Sequence, residues 1–571
     1  MAASDSSATM TDGPSSPTHN SSRRSSSISI MERMRRVEGI DATERDEEEN
    51  ASHGLHMLSE IRSRTQSRPD QIVIGWEPND PENPYNWPKW KKAWLQIVIN
   101  ILVLNSTMGS ALPSMAIPDI TAKWGITSQE QHVLPISVYL IGYVAGPLLW
   151  GPLSEHLGRR DLIVGTFAMF CIFTMACAVA PTWPALLVFR CFCGVFASAP
   201  ITIVAGILAD IFNEPRSRGQ AYAYYMVTTI WGPLFSPILS GFVTPVIGWR
   251  WVFWIGLIVA GATFLMAITI PETYAPILLA KRARKLRKLD PVANAKVIAP
   301  RELEATDMSQ LLTVVLTRPV RMLFFEPIVA ATCTYLAFCY AIFYMSFEAF
   351  PIIFSGVYGL SPGVTGLIYL PIGVGSLFAL PVFYGWDNYR QGAASRGKPW
   401  VNREEYRRLP LACLGGPLFV ISLFWLGWTS RDSVSFVTPM LAGLPFGMGF
   451  MLIFMAMLNY LSDAYEIFSA SASAASSASR SLFGVLLPLA TTPMFHTLGI
   501  PGACSLLGGL SALMCFVPFI FIWKGPSIRA RSPFCIALRE RKEEMLRKAE
   551  EEAEQRQERV SATKEKLEET V

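Results

Sequence analysis

The sequence predicts an all-α membrane protein with twelve transmembrane helices in two pseudo-symmetric six-helix bundles. Three observations carry this prediction. Of 571 residues, 51% are hydrophobic and only 16% charged, whereas an ordinary soluble domain carries about 25% charged residues. From Trp94 onward the apolar residues form successive continuous runs, each long enough to cross about 30 Å of hydrocarbon at about 1.5 Å per residue. The longest and most charged internal connection, 271–320, divides these runs into six and six, the plan of two repeats with a substrate path between them. Continuous runs predict helices, because barrel strands would alternate over about ten residues.

Residues 1–75 are rich in Ser, Thr, Arg and Glu and have no apolar period. They bury too little to offset the entropy of ordering and are expected as a disordered cytoplasmic tail. Lacking the apolar stretch of a secretory signal, this start leaves the first span to direct insertion. Ser25, Ser26 and Ser27 beside Arg23 and Arg24 read either as plain tail or as a phosphate-accepting switch. The spans are expected near 94–116, 134–153, 161–180, 184–211, 221–244 and 250–270, then 322–349, 360–384, 409–428, 434–459, 470–498 and 503–523. The first bundle is thus 90–270, the cytoplasmic linker 271–320 and the second bundle 321–525, followed by a charged cytoplasmic tail, 526–571.

The net charge of +4 says less than its placement. Basic residues crowd the connections after spans two, four, six and eight, against Lys123, Arg250 and Arg431 on the other side. By the positive-inside rule both termini are cytoplasmic. No basic patch spreads over a folded face, which excludes nucleic acid as a partner. Nine of the ten cysteines lie in apolar runs, where a thiol acts as a small hydrophobe. Cys191 and Cys193 lack a second pair or histidine partner, so no metal is expected. Cys535, after the last run, is an idle thiol or a palmitoylation site. The six histidines form no acid/base cluster and no phosphate-cradling Gly-rich loop occurs, so neither an enzyme, an ATP-driven pump nor a cofactor is expected.

The sharpest local signal is Gly151-Pro-Leu-Ser-Glu155-His-Leu-Gly158-Arg159-Arg160, between spans two and three. Gly151 permits close helix contact, Gly158 a tight turn, and the acid with two arginines makes a compact charge cluster. A positive-inside anchor explains the arginines but not the glycine-acid-glycine spacing. Asp210, ending span four, is placed to pair with Arg159 or Arg160 as a latch. Arg190 lies within span four, where a charge costs about 3 kcal/mol even on a lenient scale. It is expected to face a cavity or an acid, unless it snorkels to the interface.

Span five carries Gly232-Pro233-Leu-Phe-Ser236-Pro237-Ile-Leu-Ser240-Gly241, in which prolines bend the helix and small residues admit a close neighbour. Glu348, late in span seven beside aromatics and Pro351, reads either as a buried proton carrier or as a solvated acid at the outer mouth. Arg480 in span eleven reads either as a partner for an anionic substrate or an acid, or as an interface anchor. Asn105 in span one is positioned for substrate or helix contact. Tyr139, Tyr143, Trp231, Tyr340 and Tyr344 are candidates to line an apolar, ring-accepting cavity.

The loop string resembles the Gly-x-Leu-x-Asp-x-x-Gly-Arg-Arg/Lys motif of the major facilitator superfamily, with Glu155 in place of the usual Asp and His156 where Arg is frequent. Gly385-Trp-Asp387-Asn, after span eight, is a degenerate echo. The resemblance implies that this loop gates the inner face by locking the bundles together. It matches Arg190 to a proton-coupling arginine, and Gly232, Pro233, Pro237 and Gly241 to an antiporter motif whose glycines are replaced by Ser236 and Ser240. Asp80-Pro-Glu-Asn-Pro-Tyr-Asn-Trp-Pro88, Pro271-Glu272-Thr273-Tyr274-Ala-Pro276, Glu326-Pro-Ile328, Phe347-Glu348-Ala-Phe-Pro351 and Asn459-Tyr-Leu-Ser-Asp463-Ala-Tyr465 are similar to strings of the fungal twelve-span drug:proton antiporters. That similarity implies a monomeric plasma-membrane protein that uses protons to export hydrophobic or amphipathic small molecules. The alternative is an importer or facilitator of a specific metabolite such as a polyamine or organic acid.

Overall fold

The computed structural model describes residues 72–536 except 78, 293, 304–307, 404 and 466–467, with scattered positions as far as 547. Most of the expected N-terminal tail, the serine cluster and the end of the C-terminal tail lie outside the described residues. Everything described belongs to one compact unit.

Helix one, Lys89–Ala111, ends where Pro113 removes a backbone N–H, and the chain continues through a 3-10 turn into a short helix, Ile117–Lys123. Helices two to six are Gln129–Leu157, Arg159–Ala178, Trp183–Ile211, Pro215–Ile247 and Arg250–Ile268. Gly158, at φ 104°, separates helices two and three without a loop, a backbone angle that a side chain rarely tolerates. Thr182 caps helix four by accepting from the Ala185 amide.

The second half repeats the plan. Helix seven is Pro327–Phe350, helix eight Pro362–Leu367 continued by Leu370–Ala394, helix nine Glu405–Thr429 and helix ten Gly443–Tyr465. Helix eleven starts as Ser469–Leu489, and the reversal into helix twelve falls at Gly499, whose φ of 67° breaks the otherwise continuous run Thr491–Met514. Phe516–Arg529 then carries helix twelve beyond the expected end at 523. Eleven of the described helices are apolar and long enough to cross a membrane on composition alone. The Ser/Ala-rich Ser469–Leu489, which contains Arg480, is the stretch that is not.

Packing shows the internal symmetry. In the first half helix one packs on five, two on four, and three on both four and six. In the second half seven packs on eleven, eight on ten, and nine on both ten and twelve. The halves meet through two on eleven and five on eight, which are equivalent pairs under the same exchange.

The expected linker 271–320 is structured. A surface helix, Ala275–Leu289, is followed by a two-residue strand, Val297–Ile298, paired in parallel with Ile72–Val73, and then by the helix Met308–Phe325. Leu279, Ala283, Val297 and Ala299 form a small apolar cluster with Ile74, Trp76 and Leu286, separate from the main core. Asp80 accepts from Arg282 and so ties the segment before helix one to the surface helix. This hydrogen bond holds the Asp80 carboxyl below the ordinary carboxylate range.

Candidate functional site in the transmembrane bundle

Three groups of polar side chains stand out among the apolar helices. The first gathers where helices two, three, four and six end on the basic side. Helix three opens directly after Gly158, leaving its first amides without helical partners. The Glu272 carboxylate fills that role: it accepts from the backbone N–H of Arg159 at 3.1 Å and Arg160 at 3.3 Å, and also from Thr273 and Tyr274. A side chain at Gly158 would collide with this carboxylate. The Arg159 guanidinium pairs with Asp210 at 3.3 Å, donates to Ser154 Oγ and lies over the Tyr274 ring. Thr273 Oγ1 also donates to Asp210.

The expected latch between Asp210 and the arginines therefore forms through Arg159, whereas Arg160 sends its guanidinium to the Ile268 carbonyl. Glu155 takes no part. One residue past buried Ser154, it is turned about 100° around the helix and is exposed. Gly151 faces Thr202 of helix four. Sequence reading quoted Glu272 only as part of a string; its capping role depends on helix six ending beside the start of helix three. The equivalent pair in the second half is Arg408–Asp463, between helices nine and ten, at 3.4 Å. It stands in place of the expected echo around Asp387, whose acid instead pairs locally with Arg390.

The second group is built on Arg190, which is 2% exposed. Its Nε donates to the Pro135 carbonyl at 2.8 Å, and its two terminal nitrogens donate to Gly109 and Ser110 carbonyls at 2.7 Å each. Pro113 has no N–H for the Gly109 carbonyl four residues earlier, so Arg190 satisfies an acceptor that the helix-one break orphans. Its guanidinium also lies 4.5 Å from the Tyr139 ring. Of the two surroundings expected for it, a cavity or an acid, no acid faces it among the described residues, and carbonyls supply the negative end. A cavity of about 10 Å³ borders Arg190 and Asn105, room for about one water.

Around this break, Tyr139 and Tyr143 both donate to the Ser106 carbonyl, and Ser110 Oγ bonds Tyr344 Oη across the halves at 2.8 Å. Asn105, which borders the same cavity, donates to Thr263 of helix six at 2.6 Å. In span five, Gly232 lies against Thr107 and Leu104 of helix one, and Ser236 donates to the Met108 carbonyl at 2.6 Å. Ser240 accepts from the Met115 amide just past the break. The other side of the same string, Pro237 and Gly241, lies against Gly366 and Pro362 of helix eight. Pro233 sits between these two seams in the helix interior.

The third group is sparse. Arg480 donates from Nε to the Ser476 carbonyl in its own helix, and its guanidinium lies 5.8 Å from the Tyr340 ring and 5.4 Å from Phe454. It makes no ion pair among the described residues. The Tyr340 and Tyr344 rings lie with centroids 4.8 Å apart, tilted 45° to one another. Trp231 faces Gly373 of helix eight, with its indole N–H buried and without a hydrogen-bond partner among the described residues. Glu348, late in helix seven, has a buried Oε1 without a hydrogen-bond partner among the described residues. Tyr340, Tyr344, Phe454 and Arg480 thus come together, and Glu348 lies one helical turn beyond Tyr344 on helix seven. Phe454 was missed because an aromatic in an apolar helix carries no signal of its own.

Comparison with known proteins follows the same lines. The Major Facilitator Superfamily profile matches residues 99–488. The chain is 38% identical over 480 residues to the "Citrinin biosynthesis cluster MFS transporter mrr1" of Monascus ruber, covering 81% of this chain and 93% of that one. It is 37% identical over 463 residues to "Efflux pump FUB11" of Gibberella moniliformis, covering 81% and 77%. Among solved structures, the proton:xylose symporter XylE of the same superfamily aligns with a TM-score of 0.56 at 16% identity, over 77% of this chain and 96% of that one. With a matched profile over most of the helices and relatives along most of its length, the chain belongs to the Major Facilitator Superfamily and is a multi-pass membrane transporter rather than an enzyme.

Proposed function

We propose that the protein is a proton-coupled exporter of hydrophobic or amphipathic small molecules, resident in the plasma membrane with its basic end and both termini in the cytoplasm. The observation that carries this reading is the third group: an arginine and a carboxylate inside the helices of the second half, neither paired with an opposite charge among the described residues. Ionisable groups left unpaired at such depth are costly and mark substrate or proton paths. Arg480, with Tyr340 and Phe454, offers a cation beside aromatic faces, a place for a flat amphipathic cargo with an acidic group. Glu348 carries the proton. Protonated, it enters an apolar surround without charge; deprotonated, it must reach water, so its state biases which end of the bundle opens. Arg190 holds the break in helix one through the Gly109 and Ser110 carbonyls. The naming of a relative as an efflux pump supports the outward direction.

The test is purified protein in proteoliposomes with an imposed pH gradient and a panel of labelled amphipathic compounds. Cargo movement opposite to protons is the expected result, and co-movement overturns the antiport reading. The second reading, a facilitator for an organic acid, is also favoured by the unpaired Arg480, and predicts flux that ignores the proton gradient.

A further inference from the structure

The surface helix Ala275–Leu289 follows helix six after a six-residue link, so it lies where the bundle meets the headgroup layer. Its six bases divide into two kinds. Arg282 is paired with Asp80 and Glu82, and Arg287 with Glu302. Lys281, Arg284, Lys285 and Lys288 are exposed and make no ion pair among the described residues. At about 100° per residue these four fall within one arc of about 100°, and Ile277 falls in the same arc. Ile277 rests beside Gly158 at the start of helix three: a Cβ there would stand 3.2 Å from its Cδ1. The opposite face, Leu279, Ala283 and Leu286, is covered by the strand pair and Trp76. Ile277, 6% exposed against the start of helix three, sets this arc on the side of the helix turned toward the end of the bundle, and Lys281, Arg284, Lys285 and Lys288 remain exposed along the rest of it. Leu289 and Val292, 72% and 89% exposed, follow at its end.

We propose that this face is a binding site for anionic phospholipid headgroups of the leaflet at the basic end. Unpaired bases immediately beyond a transmembrane helix attract acidic lipid, and exposed apolar residues among them enter the acyl boundary. Anchored there, the surface helix holds Glu272 and the start of helix three at a fixed depth.

The experiment uses the full chain reconstituted in vesicles of phosphatidylcholine alone or with roughly one-third phosphatidylserine, enough to give an anionic surface. Co-purified phosphatidylserine is counted after detergent extraction. Wild-type protein is expected to retain phosphatidylserine over phosphatidylcholine, K281Q/R284Q/K285Q/K288Q to lose at least about tenfold of that preference, and K281R/R284K/K285R/K288R to keep it. Raising salt is expected to weaken retention by wild type and by the charge-conserving variant, and to leave the glutamine variant unchanged. If the glutamine variant does not fold, Lys285→Glu alone is compared instead. Equal retention by wild type and a folded neutral or reversed-charge variant overturns the proposal, as does phosphatidylserine retained by wild type only in proportion to its share of the vesicle lipid.

Discussion

A buried arginine that bonds carbonyls alone behaves differently from one that bonds an acid. Arg190→Gln leaves two or more buried carbonyls unpaired, each worth about 1–3 kcal/mol, and is expected to lower stability by about 2–5 kcal/mol, read as the thermal midpoint in detergent. Arg190→Lys restores only part, because a point charge cannot reach three acceptors placed for a planar fork. Glu348→Gln is expected to behave in the opposite way. It removes a carboxylate with a buried, unpartnered oxygen, so the midpoint stays within about 1 kcal/mol, while pH-driven accumulation falls at least about tenfold and cargo exchange at equal pH persists. A variant that keeps gradient-driven transport removes Glu348 from the coupling path. Both positions were legible as charges in apolar runs. What sequence did not reveal was the chemistry around them: the Gly109 carbonyl is freed by a proline in the next turn, but only the fold brings helix four to it.

At the scale of elements, the Gly-Pro-rich string of helix five reads from sequence as a site of close approach. The structure shows two approaches, to helix one through Gly232 and Ser236 and to helix eight through Pro237 and Gly241. The partner on helix eight, Gly366, carried no motif and was invisible in the sequence. A Cβ on it would stand 2.5 Å from the Pro237 carbonyl oxygen. Gly366→Val is therefore expected to part the halves at that end and reduce net transport at least about tenfold, with labelling of Ile238→Cys, beside it in the seam, rising in step. The surface helix gives a second test. Because Arg282 holds the Asp80 carboxyl low, its pairing energy is complete above the ordinary value near about 3.9 and is lost as pH falls through the lower folded value. Protection of the Ile74 amide, which donates to Ile298, should then persist through mild acid in wild type and be weak at every pH in Asp80→Asn. Loss of protection already near neutral pH in wild type would sink this account.

For the whole molecule, the exchange of halves decides what the charge clusters do. The family resemblance implies that the loop after helix two locks the two bundles to one another. The described contacts of Arg159, however, are with Ser154 and Asp210 of the first half and with Glu272 and Tyr274 of the link that follows helix six, and Arg408 has its counterpart Asp463 in the second half. Contacts that do join the halves, such as Ser110 with Tyr344 and Ser137 with the Val485 carbonyl, involve other residues. We read the two ion pairs as stiffeners that keep each half a body able to rock, a role that needs no link between them. A double-mutant cycle separates the two views. Asp210→Asn and Asp463→Asn are each expected to cost about 1–3 kcal/mol, since each leaves a mostly buried arginine short of its acid. If each pair acts within its own half, the double variant's cost equals the sum within about 0.5 kcal/mol. A lock shared between the halves would show instead as a coupling energy above about 1 kcal/mol, because releasing one side would already spend what the second was holding.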